Sequence, residues 1–496
     1  MAERYLNLIG GDWKPARSGE TFEDRNPARW SEVVGTFPRS GPQDVDAAVA
    51  AARTAYRGWR ATPPPRRGEI LLRAGLLLEQ RKQDLARTMT LEMGKVLEEA
   101  RGDVQEAIDM AFFAAGLGRR AFGETIPSEL PDKACFTWRE PVGVVGVITP
   151  WNFPVAVPSW KIFPALMAGN TIVFKPAEDT PLCGTRLAEV LLEAGLPAGV
   201  LNVVHGTGPE AGAALVAHPD VNCISFTGST EVGKEIAAEC GRSLKRVGLE
   251  LGGKNAIVVM DDASLELAVD GAVWAAFGTT GQRCTAASRM IVQRGVAGDF
   301  VDSLKERALA LRVGDGLQDG VQVGPIVNMQ QLRRVHRYTQ VAREEKATVL
   351  TGGEVLTEGE LADGWFYPPT IFTDVQPDMR VAREEIFGPS TSVMVVDSLD
   401  QALEYANGTA YGLSLSLYTN DVRSAFRAMR ELEAGIVYIN APTIGAEIQL
   451  PFGGVKQTGN GHREAGSTAM DEFTEWKSIY VDYSGRLQRA QIDTQV

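Results

Sequence analysis

The spacing of apolar residues predicts that the first hundred or so residues are mainly helical. Within 44–60 apolar side chains recur every three or four positions, which places them on one face of a helix: Val45, Val49, Ala52, Tyr56 and Trp59. Asp44 directly precedes this stripe and is the expected N-cap. Similar patterns cover 66–88 and 98–118.

From Gly143 the pattern changes to short β-rich runs that alternate with helical segments. The first series contains GVVGVIT, TIVF, VLNVV, NCISF and a run toward NAIVV. The second starts with a helix near 263–278 and contains ASRMIVQ, STSVMVV, LSLSLYT and GIVYIN. This α/β alternation predicts parallel sheets with ligands at the carboxyl ends of the strands. The closing TEWKSIYVDY alternates as a strand added to another sheet does.

One segment has the length of a membrane span. Residues 141–160 contain no charged side chain, and a stretch of about twenty apolar residues suffices to cross a bilayer. Pro150, Pro154 and Pro158 interrupt it, and each removes a backbone donor and clashes with the preceding turn of a helix. We therefore interpret the segment as a buried strand, a turn and the start of a helix.

The composition of the chain indicates which binding partners and which cellular compartment to expect. A chain of 496 residues with 44% hydrophobic content predicts two or three packed domains. The net charge of -13 argues against nucleic acid and anionic membranes and favours a small molecule. The five cysteines are odd in number and form no C-x-x-C pair, and the N-terminus lacks a signal-peptide pattern. We expect a cytoplasmic protein with no metal site.

Two glycine-containing turns are candidates for binding a dinucleotide. Gly206 to Gly212 has one residue too many for a strict G-x-G-x-x-G motif and is equally a plain strand-to-helix turn. In NCISFTGSTEVGKEIAAEC a strand is expected to end at Phe226 and a helix to open near Ser229. Gly228 would let the backbone approach a pyrophosphate, and Ser229 with the helix N-terminus would donate hydrogen bonds. A plain β-turn-α joint is the alternative.

Lys175 and Glu178 lie just past the strand TIVF. A carboxylate there binds both ribose hydroxyls, which favours NAD, whereas a lysine leaves NADP open. Taken singly, either residue is more often a solvated loop charge.

Oxidation of an aldehyde by a nicotinamide needs a nucleophile, a base and an oxyanion donor. A thiolate makes the carbon tetrahedral, hydride transfer leaves a thioester, and water activated by a base hydrolyses it. Cys284 lies between a helix and a strand beside Arg283, which favours the thiolate, although a lone cysteine is usually a buried apolar residue.

The base and the oxyanion donor also have candidates. Glu250 precedes a glycine turn and is the candidate base, with an ion pair to Lys254 as the alternative. Asn152, between prolines, is the candidate oxyanion donor together with the Cys284 backbone N–H, or simply a turn residue.

Seven phrases give the chain a recognisable resemblance: PWNFP, KPAE, FTGS, ELGGK, GQRCT, EIFGP and PFGGVK. In this order they resemble the aldehyde dehydrogenase superfamily from about residue 7 to the C-terminus. The resemblance implies that Cys284 is the nucleophile, Glu250 the general base and Asn152 the oxyanion donor. It implies that NAD, with NADP as the alternative, is bound by Ile148, Thr149, Pro150, Trp151, Lys175, Glu178, Gly208, Gly228, Ser229, Leu251, Glu385 and Phe387.

The same resemblance implies the domains and the assembly. The expected fold is α/β: a Rossmann-type cofactor domain (1–121 and 142–252), a catalytic domain (253–450) and a β extension (122–141 and 473–496) that pairs subunits into homodimers or homotetramers.

The substrate is the least determined property. The residues expected to contact it are Phe153, Trp160, Arg283, Thr285, Ile444 and Phe452. The loop 440–447 looks like that of relatives acting on semialdehydes with a distal carboxylate, which its backbone N–H groups and Arg283 would grip. A general small-aldehyde dehydrogenase is the alternative.

Other classes of protein are disfavoured. Glu250 argues against a CoA-acylating relative, and the four histidines (205, 218, 336 and 462) show no partnership with Cys284 that a hydrolase would need. A non-enzymatic descendant would have lost a catalytic residue.

Overall fold

The N-terminal segment begins with strands and continues with helices in the computed structural model, which describes residues 3–120 and 122–493. Its elements are β1 (Glu3–Arg4), β2 (Asn7–Ile9), β3 (Asp12–Lys14), β4 (Thr21–Arg25), β5 (Val33–Pro38), α1 (Pro42–Ala61), α2 (Pro64–Gln80), α3 (Lys82–Met93) and α4 (Leu97–Leu117). The helical prediction is wrong before residue 42. These strands have two to six residues, too few for alternation to show, and β2 pairs with a strand near residue 203.

Two helix boundaries also differ from the prediction. Helix α1 begins at Pro42 with Gly41 as N-cap, because proline fits the first turn, where its missing N–H costs nothing. Asp44 is the third helical residue, and its carboxylate accepts a hydrogen bond from the Gly41 N–H (3.1 Å). The pattern over 66–88 is divided at Arg81, where the backbone leaves the helical region between α2 and α3.

The first parallel sheet contains the predicted Rossmann-type alternation. The next elements are β6 (Thr125–Pro127), β7 (Lys133–Pro141), β8 (Val144–Ile148), α5 (Ala156–Ala168), β9 (Thr171–Lys175), α6 (Pro181–Glu193), β10 (Leu201–Val203), α7 (Ala213–Ala217), β11 (Cys223–Thr227), α8 (Thr230–Arg242) and β12 (Arg246–Glu250). The strand order is β12-β11-β8-β9-β10-β2-β3. The order reverses beside β8, so a ligand crevice opens at the carboxyl ends of β8 and β11. Strand, turn and helix succeed one another over 141–160, as interpreted.

A second seven-stranded sheet follows. Its segment comprises β13 (Asn255–Val259), α9 (Leu265–Phe277), β14 (Ala287–Gln293), α10 (Arg294–Ala310), α11 (Met329–Glu344), β15 (Thr348–Thr351), β16 (Thr370–Thr373), α12 (Arg380–Arg383), β17 (Ser390–Val396), α13 (Leu399–Asn407), β18 (Tyr411–Gly412), β19 (Ser414–Tyr418), α14 (Val422–Glu431) and β20 (Ile436–Ile439). The order is β15-β16-β17-β14-β13-β19-β20. The run NAIVV, taken with the first series, is β13 and lies between β14 and β19 of this sheet, because the Gly252–Gly253 turn carries the chain away after β12.

The chain then pairs β21 (Val455–Lys456) with β18, passes beside Glu250 at Gly459, and ends in a separate three-stranded sheet. The last elements are α15 (Ala469–Phe473) and β22 (Thr474–Asp482). Strand β22 pairs antiparallel with β7 along its whole length, from Thr474 opposite Pro141 to Asp482 opposite Lys133, in the order β22-β7-β6. The prediction of a strand added to another sheet is confirmed.

The α/β class is confirmed, while the division into domains stays a prediction. Residues 1–2, 121 and 494–496, which belong to the predicted domains, lie outside the described residues. Among residues 3–120 and 122–493, no helix is both long enough and apolar enough to cross a bilayer.

Candidate active site

Two cavities meet at Cys284. We call the first the inner cavity and the second the outer cleft. Both are lined by Phe153, Val157, Thr227, Leu251 and Cys284. The inner cavity adds Glu106, Trp160, Glu250, Arg283, Thr285, Leu413, Gly445, Ala446, Phe452 and Glu464. The outer cleft adds Pro150, Trp151, Asn152, Gly228, Ser229, Gly252, Gln331, Arg334, Glu385 and Phe387.

A strained turn over 278–284, which we call the catalytic turn, presents Cys284 to both cavities. After α9 the chain makes a 3-10 turn (Gly278–Gly281) in which Thr279 and Thr280 have φ of 52° and 57°. Such angles are costly for residues other than glycine and persist only when neighbours hold them. The Thr279 N–H donates to Glu99 Oε1 (2.7 Å), and the Thr280 hydroxyl donates to the Gly324 carbonyl (3.0 Å). The turn is thereby fixed against α4 and the 324 loop.

Asn152 lies beside the same turn. Its side-chain Nδ2 donates to the Gln282 carbonyl (3.0 Å), which uses one of its two amide hydrogens. Asn255 Nδ2 donates to the Cys284 carbonyl (2.7 Å) and fixes the backbone of the cysteine itself. The outer cleft thus brings the Asn152 amide and Cys284 together, as an oxyanion site requires.

The surroundings of Cys284 favour the thiol in the free protein. Burial raises the pKa of Cys284 to about 12, and the carboxylates of Glu250 and Glu385 add to the rise. Arg283 acts in the predicted direction but is outweighed. Its Nε donates to Thr279 Oγ1 (2.9 Å), and its guanidinium lies 5.0 Å from the centre of the Phe153 ring. The predicted effect of Arg283 on the thiolate is therefore present, but burial and the neighbouring carboxylates have the larger effect on the pKa of Cys284.

Glu250 ends β12 with its carboxylate in the inner cavity. Both carboxylate oxygens are buried and without a hydrogen-bond partner among residues 3–120 and 122–493. The alternative of an ion pair with Lys254 is wrong, because Lys254 Nζ is equally unpartnered in that part of the chain. Burial, and then the carboxylate of Glu464, hold the pKa of Glu250 well above its usual range. A desolvated carboxyl group of this kind is suited to act as a general base.

A buried ion pair lies behind Glu250. Lys161 Nζ contacts Glu464 and also donates to Ser225 Oγ (3.2 Å), and both charged side chains are nearly inaccessible. Sequence reasoning missed this pair. Its signal was Lys161, a single charge in the otherwise apolar helix α5.

The outer cleft fits a dinucleotide. Ser229 is the N-cap of α8 and accepts a hydrogen bond from the Val232 N–H (3.3 Å), so the positive end of this helix faces the cleft. Glu385 Oε1 accepts from the Gly253 N–H (2.9 Å). Trp151 and Phe387 meet edge to face with ring centres 5.5 Å apart. The cleft therefore offers helix N–H groups for phosphate, a carboxylate for a ribose and an aromatic wall. Gly228 has a second reason to be glycine, since a Cβ would lie 2.4 Å from the Phe226 ring.

Three predicted cofactor residues lie together at the carboxyl end of β9. Lys175 Nζ pairs with Glu178 Oε2 (2.8 Å), and the Gly208 N–H donates to Glu178 Oε1 (3.4 Å). Burial acts to raise the pKa of Glu178, but Lys175 and these bonds outweigh it and the net pKa is lowered. The carboxylate is therefore charged, as ribose binding requires. Ile148 is packed in the core, the Thr149 backbone N–H donates to the Lys175 carbonyl (3.5 Å), and neither residue lines the two cavities.

The predicted substrate residues gather in the inner cavity with one exception. Phe153, Trp160, Arg283, Thr285 and Phe452 line it, and Trp160 meets Phe452 edge to face at 5.1 Å.

Ile444 is the exception, because its side chain is 2% exposed and packs in the core against α9. The loop turns at Gly445 (φ 98°) and presents Gly445 and Ala446 to the cavity instead.

Glu106 of α4 is the other residue that sequence reasoning missed. Its signal was the pair Asp103 and Glu106, acidic residues three apart along the face of α4 that buries Ala100 and Ala107. No group of three or more acidic, histidine or cysteine side chains suited to hold a metal occurs within 3–120 and 122–493.

Comparison with known proteins agrees with this geometry. The model of the aldehyde dehydrogenase family matches residues 13–479. Alpha-ketoglutaric semialdehyde dehydrogenase of Bacillus subtilis is 43% identical, over 96% of this chain and 98% of that protein. The NADP+ succinate-semialdehyde dehydrogenase of Escherichia coli is 40% identical, over 96% and 98%. The crystal structure of betaine aldehyde dehydrogenase from Staphylococcus aureus in complex with NAD+ superposes with a TM-score of 0.95 at 35% identity, covering 97% of this chain and 95% of that one.

The fold, the two cavities that meet at one cysteine and the match along nearly the whole sequence agree. The chain belongs to the aldehyde dehydrogenase family and is an NAD(P)-dependent oxidoreductase that converts an aldehyde to a carboxylic acid.

Proposed function

We propose that the enzyme oxidises a semialdehyde with a distal carboxylate, with Cys284 as nucleophile, Glu250 as general base and Asn152 as oxyanion donor. Alpha-ketoglutaric semialdehyde is the favoured substrate. The observation that carries the proposal is that Cys284, Glu250 and Arg283 line one cavity, in which Arg283 is the only cation among the described lining residues.

The covalent chemistry takes place at the Cys284 sulfur. The Cys284 thiol loses its proton to solvent as Sγ adds to the aldehyde carbon, and Asn152 Nδ2–H and the Cys284 N–H stabilise the oxyanion of the thiohemiacetal. The bound nicotinamide supplies the acceptor for the hydride that leaves this carbon. Glu250 then removes a proton from a water molecule, which attacks the resulting thioester, releases the carboxylic acid and restores the thiol. The desolvation that raises the pKa of Glu250 makes its carboxylate a stronger base.

Arg283 selects the far end of the substrate. Its Nε is occupied by Thr279, whereas its Nη atoms make no hydrogen bond within 3–120 and 122–493 and are free for a carboxylate. The backbone at Gly445 and Ala446 lines the same cavity, and Phe153, Trp160 and Phe452 supply an apolar passage between Cys284 and the polar end. The semialdehydes named for the relatives from Bacillus subtilis and Escherichia coli both carry a distal carboxylate.

The test compares 5-oxopentanoate with pentanal, which have equal length and differ in the distal carboxylate. We expect kcat/KM to be about a hundredfold higher for 5-oxopentanoate and most of this preference to disappear in Arg283→Ala, because a charged hydrogen-bonded pair is lost. Arg101→Ala, at an exposed arginine of α4, is the matched control and should keep the preference. Equal efficiencies for the two aldehydes, or an Arg283→Ala enzyme that keeps the preference, would overturn the proposal.

The assembly and the compartment belong to the same proposal. Strand β22 exposes Trp476 and Tyr480, and Tyr483 just beyond it, on the face of the three-stranded sheet, which suits pairing of subunits into a homodimer or homotetramer. The five cysteines are all free thiols, which suits the reducing cytoplasm. Light scattering of the wild type and of Trp476→Glu tests the assembly, and a monomeric wild type would contradict it.

A further inference from the structure

The inner cavity contains an acidic side chain that the mechanism does not use. Glu106 projects from α4 and lines the cavity together with Arg283. It is partly shielded from solvent, and its carboxyl group forms no hydrogen bond with the residues of 3–120 and 122–493. A carboxyl group placed where a substrate carboxylate must bind needs an explanation.

The charges around Glu106 come from four elements. On α4 itself are Asp103 and Asp109, and Lys95 precedes that helix. Arg283 faces it from the catalytic turn, and Tyr438 of β20, which also senses Glu447, faces it from the second sheet. Lys95 forms a buried ion pair with Asp103 (2.8 Å).

These surroundings favour the protonated acid. Burial, and then Asp103, raise the pKa of Glu106 to about 7, although Arg283 and Lys95 oppose the rise. At neutral pH a large fraction of the group is therefore an uncharged carboxylic acid. An ionised Glu106 would repel a second carboxylate in this poorly solvated cavity, whereas the neutral acid donates a hydrogen bond to one.

We propose that Glu106 is a specificity-determining residue whose protonated carboxyl group donates a hydrogen bond to the distal carboxylate of the substrate held by Arg283. This inference depends on the proposed function, since a plain aldehyde has no group for Glu106 to bind. The proton stays on Glu106, and no bond is broken. The enzyme therefore accepts an ω-carboxylated semialdehyde only when a proton occupies this site, and a plain aldehyde whether or not it does.

Deprotonation of Glu106 should lower the preference of the enzyme for the carboxylated aldehyde. As the pH rises through the pKa of Glu106, the donor is lost and a negative charge appears beside Arg283. The kcat/KM for 5-oxopentanoate, divided by that for pentanal, should fall about tenfold per pH unit above that pKa, following the fraction of the acid form. Titrations of Cys284 and Glu250 affect both aldehydes and cancel in the ratio.

The experiment measures this ratio from about pH 6 to about pH 9 in three proteins. The wild type should show the fall. Glu106→Gln keeps a donor without a titratable proton, and its ratio should stay high and flat. Glu98→Gln, at an exposed position two turns earlier on α4, should follow the wild type.

The outcomes separate the two proposals. A wild-type ratio that is high and independent of pH, or a fall that persists in Glu106→Gln, overturns the role of Glu106 and leaves Arg283 in place. A wild-type ratio near one at every pH overturns the proposed substrate class, and this inference with it. A wild-type ratio that does not change with pH overturns the role of Glu106 even if Glu106→Gln does not fold.

Discussion

The two cavities that meet at Cys284 are built in different ways. The outer cleft is formed by backbone at strand ends, by the N-terminus of α8 and by short loops around Trp151 and Phe387. The inner cavity is formed by side chains from α4, α5, the catalytic turn and the loops after residue 440. Binding a dinucleotide needs backbone donors in a regular array, whereas chemistry on an aldehyde needs individual charges removed from water.

Their electrostatics differ by degree, because burial raises the pKa of Glu385 in the outer cleft as well. At the far end of the cofactor-binding edge the net effect of Lys175 lowers the pKa of Glu178, and that carboxylate is charged. In the inner cavity burial raises the pKa values of Glu106, Glu250 and Glu464 alike. Acidic side chains with perturbed pKa values are concentrated at sites where protons are transferred. The difference indicates that one side of Cys284 binds and the other side reacts, and variants should separate the two.

The largest effect is expected from Cys284→Ser. A serine hydroxyl ionises far less readily than a thiol, so NADH formation should fall by more than about a thousandfold. NAD binding, followed by quenching of tryptophan fluorescence, should change little because the outer cleft is intact. Oxidation at the original rate would contradict the assignment of the nucleophile.

Glu250→Gln should separate the two halves of the reaction. We expect steady turnover to fall by about a hundredfold to ten-thousandfold, while stopped-flow absorbance still shows a first-turnover burst of NADH. Loss of the burst as well would mean that Glu250 also activates the thiol.

The same residue sets a pH dependence of kcat. Since the raised pKa keeps Glu250 protonated at lower pH, kcat limited by hydrolysis should rise with pH as the carboxylate forms. A pH–rate profile of the wild type tests this, and in Glu250→Gln the rise should vanish.

Lys161→Met tests the stability of the inner cavity. It leaves Glu464 buried without its cation, which should cost about 3–5 kcal/mol in the free energy of unfolding, measured from urea midpoints. Lowering the pH should restore part of the loss, because Glu464 then takes up a proton. Lys477→Met removes an exposed ion pair with Glu140 and, as the control, should cost less than about 1 kcal/mol. Equal losses in the two variants would contradict the importance of burial.

The smallest effect is expected on the cofactor side. Glu178→Gln removes the charge that repels a 2′-phosphate and releases Lys175, so the ratio of kcat/KM for NADP to that for NAD should rise about tenfold. Glu189→Gln, at a solvated ion pair of α6, should leave the ratio unchanged. If Glu178→Gln also leaves it unchanged, the ribose role of Glu178 is wrong.

The sequence by itself determined what depends on local order along the chain. Repeated strand and helix patterns indicated the α/β class, and short phrases around Cys284, Glu250 and Asn152 marked the proposed reacting groups, which line the two cavities. Strand β22 was predicted as an added strand because its alternation is long enough to show. These features can be predicted from the sequence because they depend on residues that are close together along the chain.

Only the tertiary structure decided how distant charges combine. The Lys161–Glu464 pair joins residues 303 positions apart, and Glu106 meets Arg283 from another helix. Ile444 packs in the core, and NAIVV pairs within the second sheet. The local sequence pattern is compatible with either position for each of them, and tertiary packing determines which one is adopted. The pKa of a buried group depends on its solvation and its neighbours in space, and neither of these is encoded by spacing along the chain.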